Sequence, residues 1–194
     1  PLPRRAAHAI AEAHALGVLG PKGKGACAAL GVRADVRIGT LGKSFGSAGA
    51  FTVGSEAVIA LLRNRARSYV FSTAPVPLLG RVAVAAADLV EAADDRRETL
   101  RRHGKRLREG LRAQGYEVTD GDTPILPVLI GDARETMSLS TALFERGVFA
   151  QGIRPPTVPP GTSRIRLVPM ATHTDAHVDR ALEAFADARR SLRR

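Results

Sequence analysis

The spacing of apolar residues predicts helices and short strands in the first part of the chain. Residues 55–67 carry apolar side chains near one helical face, and from Pro75 to about residue 114 apolar positions recur at intervals close to 3.6, which predicts a long helical region. Short apolar runs predict strands at residues 35–39, 50–54 and 69–73. Residues 1–11 follow neither period and are expected to be irregular or weakly helical.

The pattern changes after Gly115, where short apolar runs alternate with amphipathic segments. Strands are predicted at residues 116–119, 125–130 and 164–168. A helix is predicted at 134–146, which Gly147 would terminate, and another from Thr174, a suitable N-cap residue, through Leu192. This order of strands and helices predicts a compact α/β lobe.

Glycine is concentrated in residues 17–25 and 39–49, where the backbone must turn tightly or approach another group closely. The second segment contains the run Gly39-Thr40-Leu41-Gly42-Lys43-Ser44-Phe45-Gly46. A turn of this kind suits an anion, because its backbone N–H groups can point at a phosphate. A nucleotide P-loop needs glycine six residues before the lysine, and that position holds Arg37, so the P-loop motif fails.

Three interpretations of Lys43 remain open, two of them chemical roles and one of them no role. A lysine on a tight loop, partly desolvated, can have its pKa lowered enough to attack an aldehyde and form a Schiff base. The same side chain could instead anchor a phosphate, or it could be a surface lysine in a flexible turn.

Composition narrows the classes of function. The net charge is +10, but only four of the 29 basic residues are lysines and aromatic residues make up 4%, and no recognition motif occurs, so a basic nucleic-acid-binding module is a minor alternative. No apolar run approaches the ~20 residues of a membrane span, and no secretory signal or metal-binding motif is visible. The single cysteine, Cys27, excludes an internal disulfide and fits a reducing compartment, so a cytoplasmic location is expected.

Several blocks of residues occur together in the order found in one enzyme family. They are Glu12-Ala-His14, residues 17–25, residues 39–46, Phe71-Ser-Thr73 and residues 153–162. Together they resemble the α-oxoamine synthases, a branch of the fold-type I pyridoxal 5′-phosphate (PLP) enzymes, over nearly the whole chain. The block at 153–162 is most similar to the members that condense L-alanine with a pimeloyl thioester, with loss of CO2, on the route to biotin.

The resemblance implies roles for four residues around the cofactor. Lys43 matches the lysine that binds the PLP aldehyde and later moves protons at the substrate α-carbon. Thr40 matches a hydroxyl that contacts the cofactor phosphate, and His14 matches the histidine that bonds the pyridoxal 3′-oxygen, although a lone histidine is more often structural. Thr73 matches a threonine that reaches the cofactor phosphate of a neighbouring subunit, which implies a homodimer with shared sites.

Two arginines match the family's substrate-binding positions. Arg166 matches the arginine that pairs with the amino-acid carboxylate, a task that suits a guanidinium because it stays charged and can bind both oxygens at once. Arg154 could line the entry of the acyl thioester. With 25 arginines in the chain, only their places in the motif distinguish these two from surface residues.

The resemblance also implies the architecture. Residues 1–78 would form part of the PLP-binding large domain, a mostly parallel and incomplete α/β sheet in which residues 1–11 are atypical. Residues 79–114 would be a long linking helical region, and residues 115–194 a small C-terminal α/β domain.

The sequence departs from the family pattern at its beginning. The family has an aspartate three residues before the histidine, which keeps the pyridine nitrogen protonated, and here that position is Ala11. Glu12 is adjacent, but on a strand its side chain would point to the opposite face. Residues 3–11 also lack the apolar pattern of a buried parallel strand.

These departures leave two interpretations of activity. The chain is expected to be the C-terminal half of such an enzyme, without most of the sheet, so it would have little activity alone and would expose strand edges and apolar surface. The alternative is a non-catalytic remnant of a PLP enzyme.

Overall fold

The computed structural model of the protein describes residues 7–192 and divides into two compact units. The first unit ends at Arg97 and the second begins at Glu98. Each unit is described by itself below.

A three-stranded sheet organises the first unit. Strand β1 (Ala9–Ala11) pairs in parallel with β2 (Val36–Thr40), and β2 pairs antiparallel with β3 (Ala50–Gly54), which gives the order β1-β2-β3. The strands predicted at 35–39 and 50–54 are therefore confirmed. The expectation that residues 1–11 are irregular or weakly helical is wrong for Ala9–Ala11, which forms a strand. Backbone pairing with β2 holds this segment, so it needs no apolar period of its own.

Four short or medium helices complete this unit. They are α1 (Ala26–Leu30), α2 (Glu56–Arg65), α3 (Arg67–Val70) and α4 (Pro77–Ala92), with a 3-10 turn at Pro21–Gly23. Helix α2 begins at Ser55, whose side chain accepts a hydrogen bond from Val58 N–H. The turn at Pro21–Gly23 and helix α1 had not been predicted.

The strand predicted at 69–73 is wrong. The backbone N–H groups of Tyr69, Val70 and Phe71 donate to the carbonyl groups of Ala66 and Arg67, so the segment turns as helix α3. Its aromatic and β-branched residues favour a strand. Local helical hydrogen bonding overrides that preference, because this segment pairs with no strand in the described part of the chain.

Very little apolar surface is buried in the first unit. Among its described residues, the buried hydrophobic side chains are those of Ala15 and Cys27, and helices α2, α3 and α4 bury none. Large apolar side chains are exposed on β2 and β3 and on α4, among them Ile38, Phe51, Val53, Leu78 and Leu89. Exposed apolar side chains on neighbouring strands are typical of a surface on which another polypeptide segment packs.

The helical region predicted from Pro75 to about residue 114 is two helices rather than one. Helix α4 ends at Ala92 and α5 covers Asp94–Ala113, with Ala93 outside helical geometry at φ −91° and ψ 44°. The buried guanidinium of Arg97 donates to the carbonyl oxygens of Val90 and Glu91. These bonds satisfy carbonyl groups that the end of α4 leaves without helical partners.

The second unit is built on an antiparallel sheet with the order β4-β5-β7-β6. Its strands are β4 (Glu117–Val118), β5 (Leu126–Gly131), β6 (Gln151–Ile153) and β7 (Ser163–Leu167), and its further helices are α6 (Ala133–Glu145) and α7 (Asp175–Leu192). All the elements predicted after Gly115 are confirmed, including Thr174 as the cap that accepts His177 N–H. Strand β6 had not been predicted.

A continuous apolar core fills one side of this sheet. Side chains of β5 and β7 pack with those of α5, α6 and α7, and the largest fully buried ones are Leu111, Leu126, Leu143, Ile165 and Phe185. Because strand side chains alternate between faces, burial of Ser163, Ile165 and Leu167 turns Arg164 and Arg166 to the other face of β7. The core thereby fixes which face carries the arginines.

Over residues 7–192, no helix combines the length and the apolar character needed to cross a lipid bilayer.

Three histidines lie where α7 begins against α5. His103 of α5 is fully buried, and the Asp175 carboxylate lies 3.5 Å from its Nε2 and 3.5–3.6 Å from Arg106 and Arg102. His173 Nδ1 accepts Met170 N–H at 3.2 Å, and His177 Nδ1 accepts Thr174 N–H at 3.1 Å. An imidazole accepts at Nδ1 only while that nitrogen is unprotonated, so the contact of His173 with Met170 N–H requires a neutral ring.

We predict that acid weakens the second unit through His173. Burial lowers the pKa of His173, and the nearby His177 and His103 lower it further. The unfolded chain therefore binds a proton at this side chain before the folded chain does, so the free energy of unfolding falls as pH decreases through about 6.5. Urea unfolding followed by tyrosine fluorescence in a Tyr69→Phe background, which leaves Tyr116 as the sole tyrosine, would measure this decline.

The substitution His173→Asn keeps an acceptor near the Nδ1 position and removes the titration, so it should reduce the dependence of stability on pH. The exposed His8, changed to asparagine, is the matched control and should leave that dependence as in the native chain. An equal dependence in His173→Asn and the native chain would contradict the prediction.

Candidate functional site

Lys43 lies on the glycine-rich loop that joins β2 to β3. Backbone hydrogen bonds close this loop on itself: Leu41 N–H donates to Gly49 O at 2.9 Å, Ser47 N–H to Leu41 O at 2.8 Å and Gly46 N–H to Lys43 O at 3.0 Å. The side chain of Lys43 is exposed. The described residues therefore do not shield this amine from water, and the partial desolvation expected from the sequence is not found among them. The amine is accessible to a ligand.

Thr40 is the last residue of β2 and shapes the same loop. Its Oγ1 accepts Gly42 N–H at 3.2 Å and donates to Gly49 O at 3.3 Å. The hydroxyl thus contacts both sides of the loop that carries Lys43. Both hydrogen bonds are long, so Gly42 N–H and the Thr40 hydroxyl could each donate to a stronger acceptor instead.

Ser44 ties the lysine loop to the turn that follows β1. Ser44 Oγ donates to Leu16 O at 2.7 Å. The neighbouring Gly17 has φ +82°, and a Cβ there would lie 2.5 Å from Ser44 Oγ. Only glycine allows this approach of the two segments. Ser44 was not among the predicted site residues, because its partner is 28 positions away in sequence.

His14 lies in the turn after β1 and is exposed. The turn is defined by the carbonyl group of Glu12, which accepts the N–H groups of Ala15 and Leu16 at 3.0 and 2.9 Å. The structure therefore connects the segment of His14 with the loop of Thr40 and Lys43. Thr73 is exposed between α3 and α4, and within residues 7–192 no hydrogen bond or ion pair joins it to that loop.

Ala11 and Glu12 end strand β1 and face opposite ways, as expected from strand geometry. Ala11 is exposed, whereas the Glu12 side chain is only 3% exposed. Glu12 Oε1 accepts Cys27 N–H at 2.7 Å, and Oε2 accepts Arg37 Nε at 2.7 Å and also Arg37 Nη2. With these partners Glu12 cannot replace the aspartate that the family carries at the position of Ala11.

The electrostatics of Glu12 agree with this geometry. Burial of the carboxyl raises its pKa, but the hydrogen bonds from Cys27 N–H and Arg37, together with the positive charge of Arg37, outweigh burial and leave the pKa below its ordinary value. Glu12 therefore stays ionised in its buried place. The stability that it contributes is present above the ordinary carboxyl pKa and is lost as pH falls through the lowered value.

Arg166 and Arg154 lie in the second unit. Arg166 is half-buried in β7, opposite Pro127 of β5 and Gln151 of β6, on the face away from the apolar core. Arg154 is exposed directly after β6. Arg154 is therefore accessible to a ligand, and the buried alternation of β7 orients Arg166.

The described residues fit PLP at one end and not at the other. The Lys43 amine is accessible for the aldehyde, and the loop of Thr40 to Gly49 offers hydroxyl and backbone N–H groups near it. Strand β1 ends with Ala11, so a methyl group stands at the position where the family pattern has a carboxylate. Among residues 7–192, no group of three or more histidine, cysteine or acidic side chains could hold a metal ion.

Comparison with known proteins places the chain in a family. The profile of the family described as Aminotransferase class I and II matches residues 7–185. The chain is 44% identical over 187 residues to an 8-amino-7-oxononanoate synthase of Geotalea daltonii, an alignment that covers 94% of this chain and 48% of that protein. The chain therefore spans about half the length of the curated relatives that it matches.

Solved structures agree with the sequence comparison. The Sphingomonas wittichii serine palmitoyltransferase superposes with a TM-score of 0.88 at 32% identity, covering 94% of this chain and 47% of that one. A structure described as SPT with a PLP internal aldimine superposes with a TM-score of 0.89 at 30% identity, covering 95% and 47%. The chain is thus a mixed α/β portion of the PLP fold-type I architecture, and it belongs to the class I and II aminotransferase family, in the α-oxoamine synthase branch.

Proposed function

We propose that this chain is the lysine-bearing portion of a PLP-dependent acyltransferase that condenses L-alanine with a pimeloyl thioester in biotin biosynthesis. The observation that carries the proposal is the accessible Lys43 on a loop closed by its own hydrogen bonds, at the position of the family lysine. The relatives named 8-amino-7-oxononanoate synthase support the choice of substrates. The absence of a membrane-crossing helix among the described residues accords with the proposed cytoplasmic location.

In this proposal some residues bind the cofactor and others bind the substrate. PLP, when bound, supplies an aldehyde and an electron-withdrawing ring that stabilises negative charge at the amino-acid α-carbon. Lys43 would hold the aldehyde carbon through its amine, with loss of water, and would be free to move a proton at the substrate α-carbon once the amino group of alanine has displaced it. Thr40 would hold the loop and donate to the phosphate, and His14 would bond the 3′-oxygen. Arg166 would pair with the substrate carboxylate, and Arg154 would line the approach of the acyl thioester.

Ala11 limits the activity that this chain can have. Without a carboxylate beside the ring nitrogen, the pyridine ring withdraws electrons less strongly. A lost charge-assisted partner of this kind costs roughly 10³-fold in rate. The exposed apolar side chains of β2, β3 and α4 point to a missing packing partner as well. We therefore propose that the chain alone is weakly active or inactive.

The proposed assembly is a homodimer. In it Thr73 would reach the cofactor phosphate of the neighbouring subunit, which accords with its exposed position outside the lysine loop. The second candidate function, a non-catalytic remnant that keeps the fold without the reaction, is favoured by one observation, the methyl group at Ala11.

We predict that PLP selects Lys43 among the lysines of the chain. The sequence has only four, at positions 22, 24, 43 and 105, so each can be followed by peptide mapping. After incubation with PLP and reduction with borohydride, Lys43 should carry roughly tenfold more pyridoxyl label than Lys24 or Lys105, because a positioned amine gains over one that collides at random. Mass spectrometry of the digest measures the label at each lysine.

The variant Lys43→Ala should remove the main labelled peptide and leave the weak labelling of the other lysines unchanged. Exposed Lys105, changed to alanine, is the matched control and should not alter the label on Lys43. Equal labelling of all four lysines would show that no PLP site exists on this chain.

We also predict that Ala11→Asp alone does not restore turnover. The new carboxylate would replace only the family aspartate, whereas this chain spans only about half the length of its relatives. Alanine-dependent release of the thiol from pimeloyl thioester should appear only when Ala11→Asp is combined with the missing half of a related synthase. Robust turnover by the unmodified chain would refute the proposal of weak activity.

A further inference from the structure

An ion pair between a buried carboxylate and a half-buried guanidinium joins three segments of the first unit at the end of β1. The Glu12 carboxylate accepts two donors from Arg37 in β2 and one from Cys27 N–H at the start of α1. Arg37 Nη2 also donates to Lys24 O at 2.7 Å. Since a buried carboxylate is strongly destabilised when its partner is removed, these contacts constrain one another.

The space around the carboxylate is filled. A Cβ on Gly25, at φ +99°, would lie 2.6 Å from Glu12 Oε1. The neighbouring Cys27 side chain is buried, and burial, together with the charge of Glu12, raises the pKa of its thiol. The pair therefore lies in a closely packed place where a shift of Glu12 must move its neighbours.

A short hydrogen-bonded path connects this pair to Lys43. The backbone carbonyl group of Glu12 accepts Ala15 N–H and Leu16 N–H, which sets the turn after β1. Leu16 O then accepts Ser44 Oγ at 2.7 Å, and Ser44 is covalently next to Lys43. The side chain of Glu12 thus fixes one end of a turn whose other end holds the lysine loop.

We infer that Glu12 and Arg37 are positioning residues for Lys43 and that they act through the turn at residues 12–16 and through Ser44. This inference rests on the proposed function, because it assigns the pair to the same cofactor site. An ion pair that only stabilised the fold would have no reason to affect the reactivity of Lys43 in a folded chain.

The experiment compares two independent readouts in the whole chain. The first is the rate at which a thiol reagent labels Cys27, the only cysteine, which reports whether the pair holds its segment and needs no cofactor. The second is the ratio of the pyridoxyl label on Lys43 to the label on Lys105 after PLP and borohydride. The variants are Glu12→Gln, Arg37→Met, Arg37→Lys and Ser44→Ala, and circular dichroism checks that each is folded.

The matched control is Glu91→Gln. Glu91 forms an ion pair with Lys22 at 2.9 Å in the same unit, but both side chains are exposed. An exposed pair contributes little, so this variant should leave both readouts at their native values.

The three kinds of variant should give different patterns. Glu12→Gln and Arg37→Met should speed Cys27 labelling and lower the ratio of Lys43 label to Lys105 label, each by roughly tenfold, because each removes a hydrogen bond to a charged group. Arg37→Lys restores the charge and should recover part of both. Ser44→Ala should lower the ratio of Lys43 label to Lys105 label severalfold while Cys27 labelling stays native, because it cuts the path beyond the pair.

Two results would overturn the inference and leave the proposed function standing. One is native selectivity for Lys43 in folded Glu12→Gln and Arg37→Met, and the other is native selectivity in Ser44→Ala, which alters no buried group and tests the path even if the pair variants do not fold. Failure of the native chain to favour Lys43 at all would instead overturn the proposed function and the positioning role with it.

Discussion

The first unit is organised by one buried carboxylate more than by an apolar core. Glu12 accepts hydrogen bonds from β2 and from the start of α1, while its own backbone belongs to the end of β1 and sets the following turn. With only Ala15 and Cys27 as buried hydrophobic residues among those described, few apolar contacts could hold these segments. Ser44 connects the loop of Lys43 to this polar network and thereby positions the loop.

The second unit follows a different physical rule. Its helices α6 and α7 and part of α5 pack on one face of a four-stranded antiparallel sheet, and that apolar core decides which side chains of β7 remain accessible. Arg166 lies on the face of β7 away from the core, because its neighbours Ile165 and Leu167 occupy the core face. A polar network thus positions the proposed cofactor residues, and an apolar core orients the proposed substrate residue.

How far the sequence predicts the structure depends on where each element finds its partners. Elements with their own apolar period, such as β5, α6 and α7, were predicted because the second unit buries that period. Strands β1 and β6 have three residues each and exist through pairing with distant strands, so no local pattern indicates them. The segment at 69–73 has the composition of a strand but forms α3, since local helical hydrogen bonds satisfy its backbone.

The candidate site shows the same division. Lys43 and Thr40 could be predicted from the glycine spacing and the family resemblance, because a tight loop is a local property. The pairing of Glu12 with Arg37 spans 25 positions and that of Ser44 with Leu16 spans 28, so neither follows from local sequence. The outward-facing Ala11 could be inferred from strand alternation, which also explains why Glu12 does not replace the missing aspartate.

If one amine of this chain lies in a site for the PLP aldehyde, titration of the native chain with PLP should produce a visible absorbance band that saturates at one cofactor per chain. The band should be lost in Lys43→Ala. A band that rises without saturation, and equally in both proteins, would show that Lys43 has no such site.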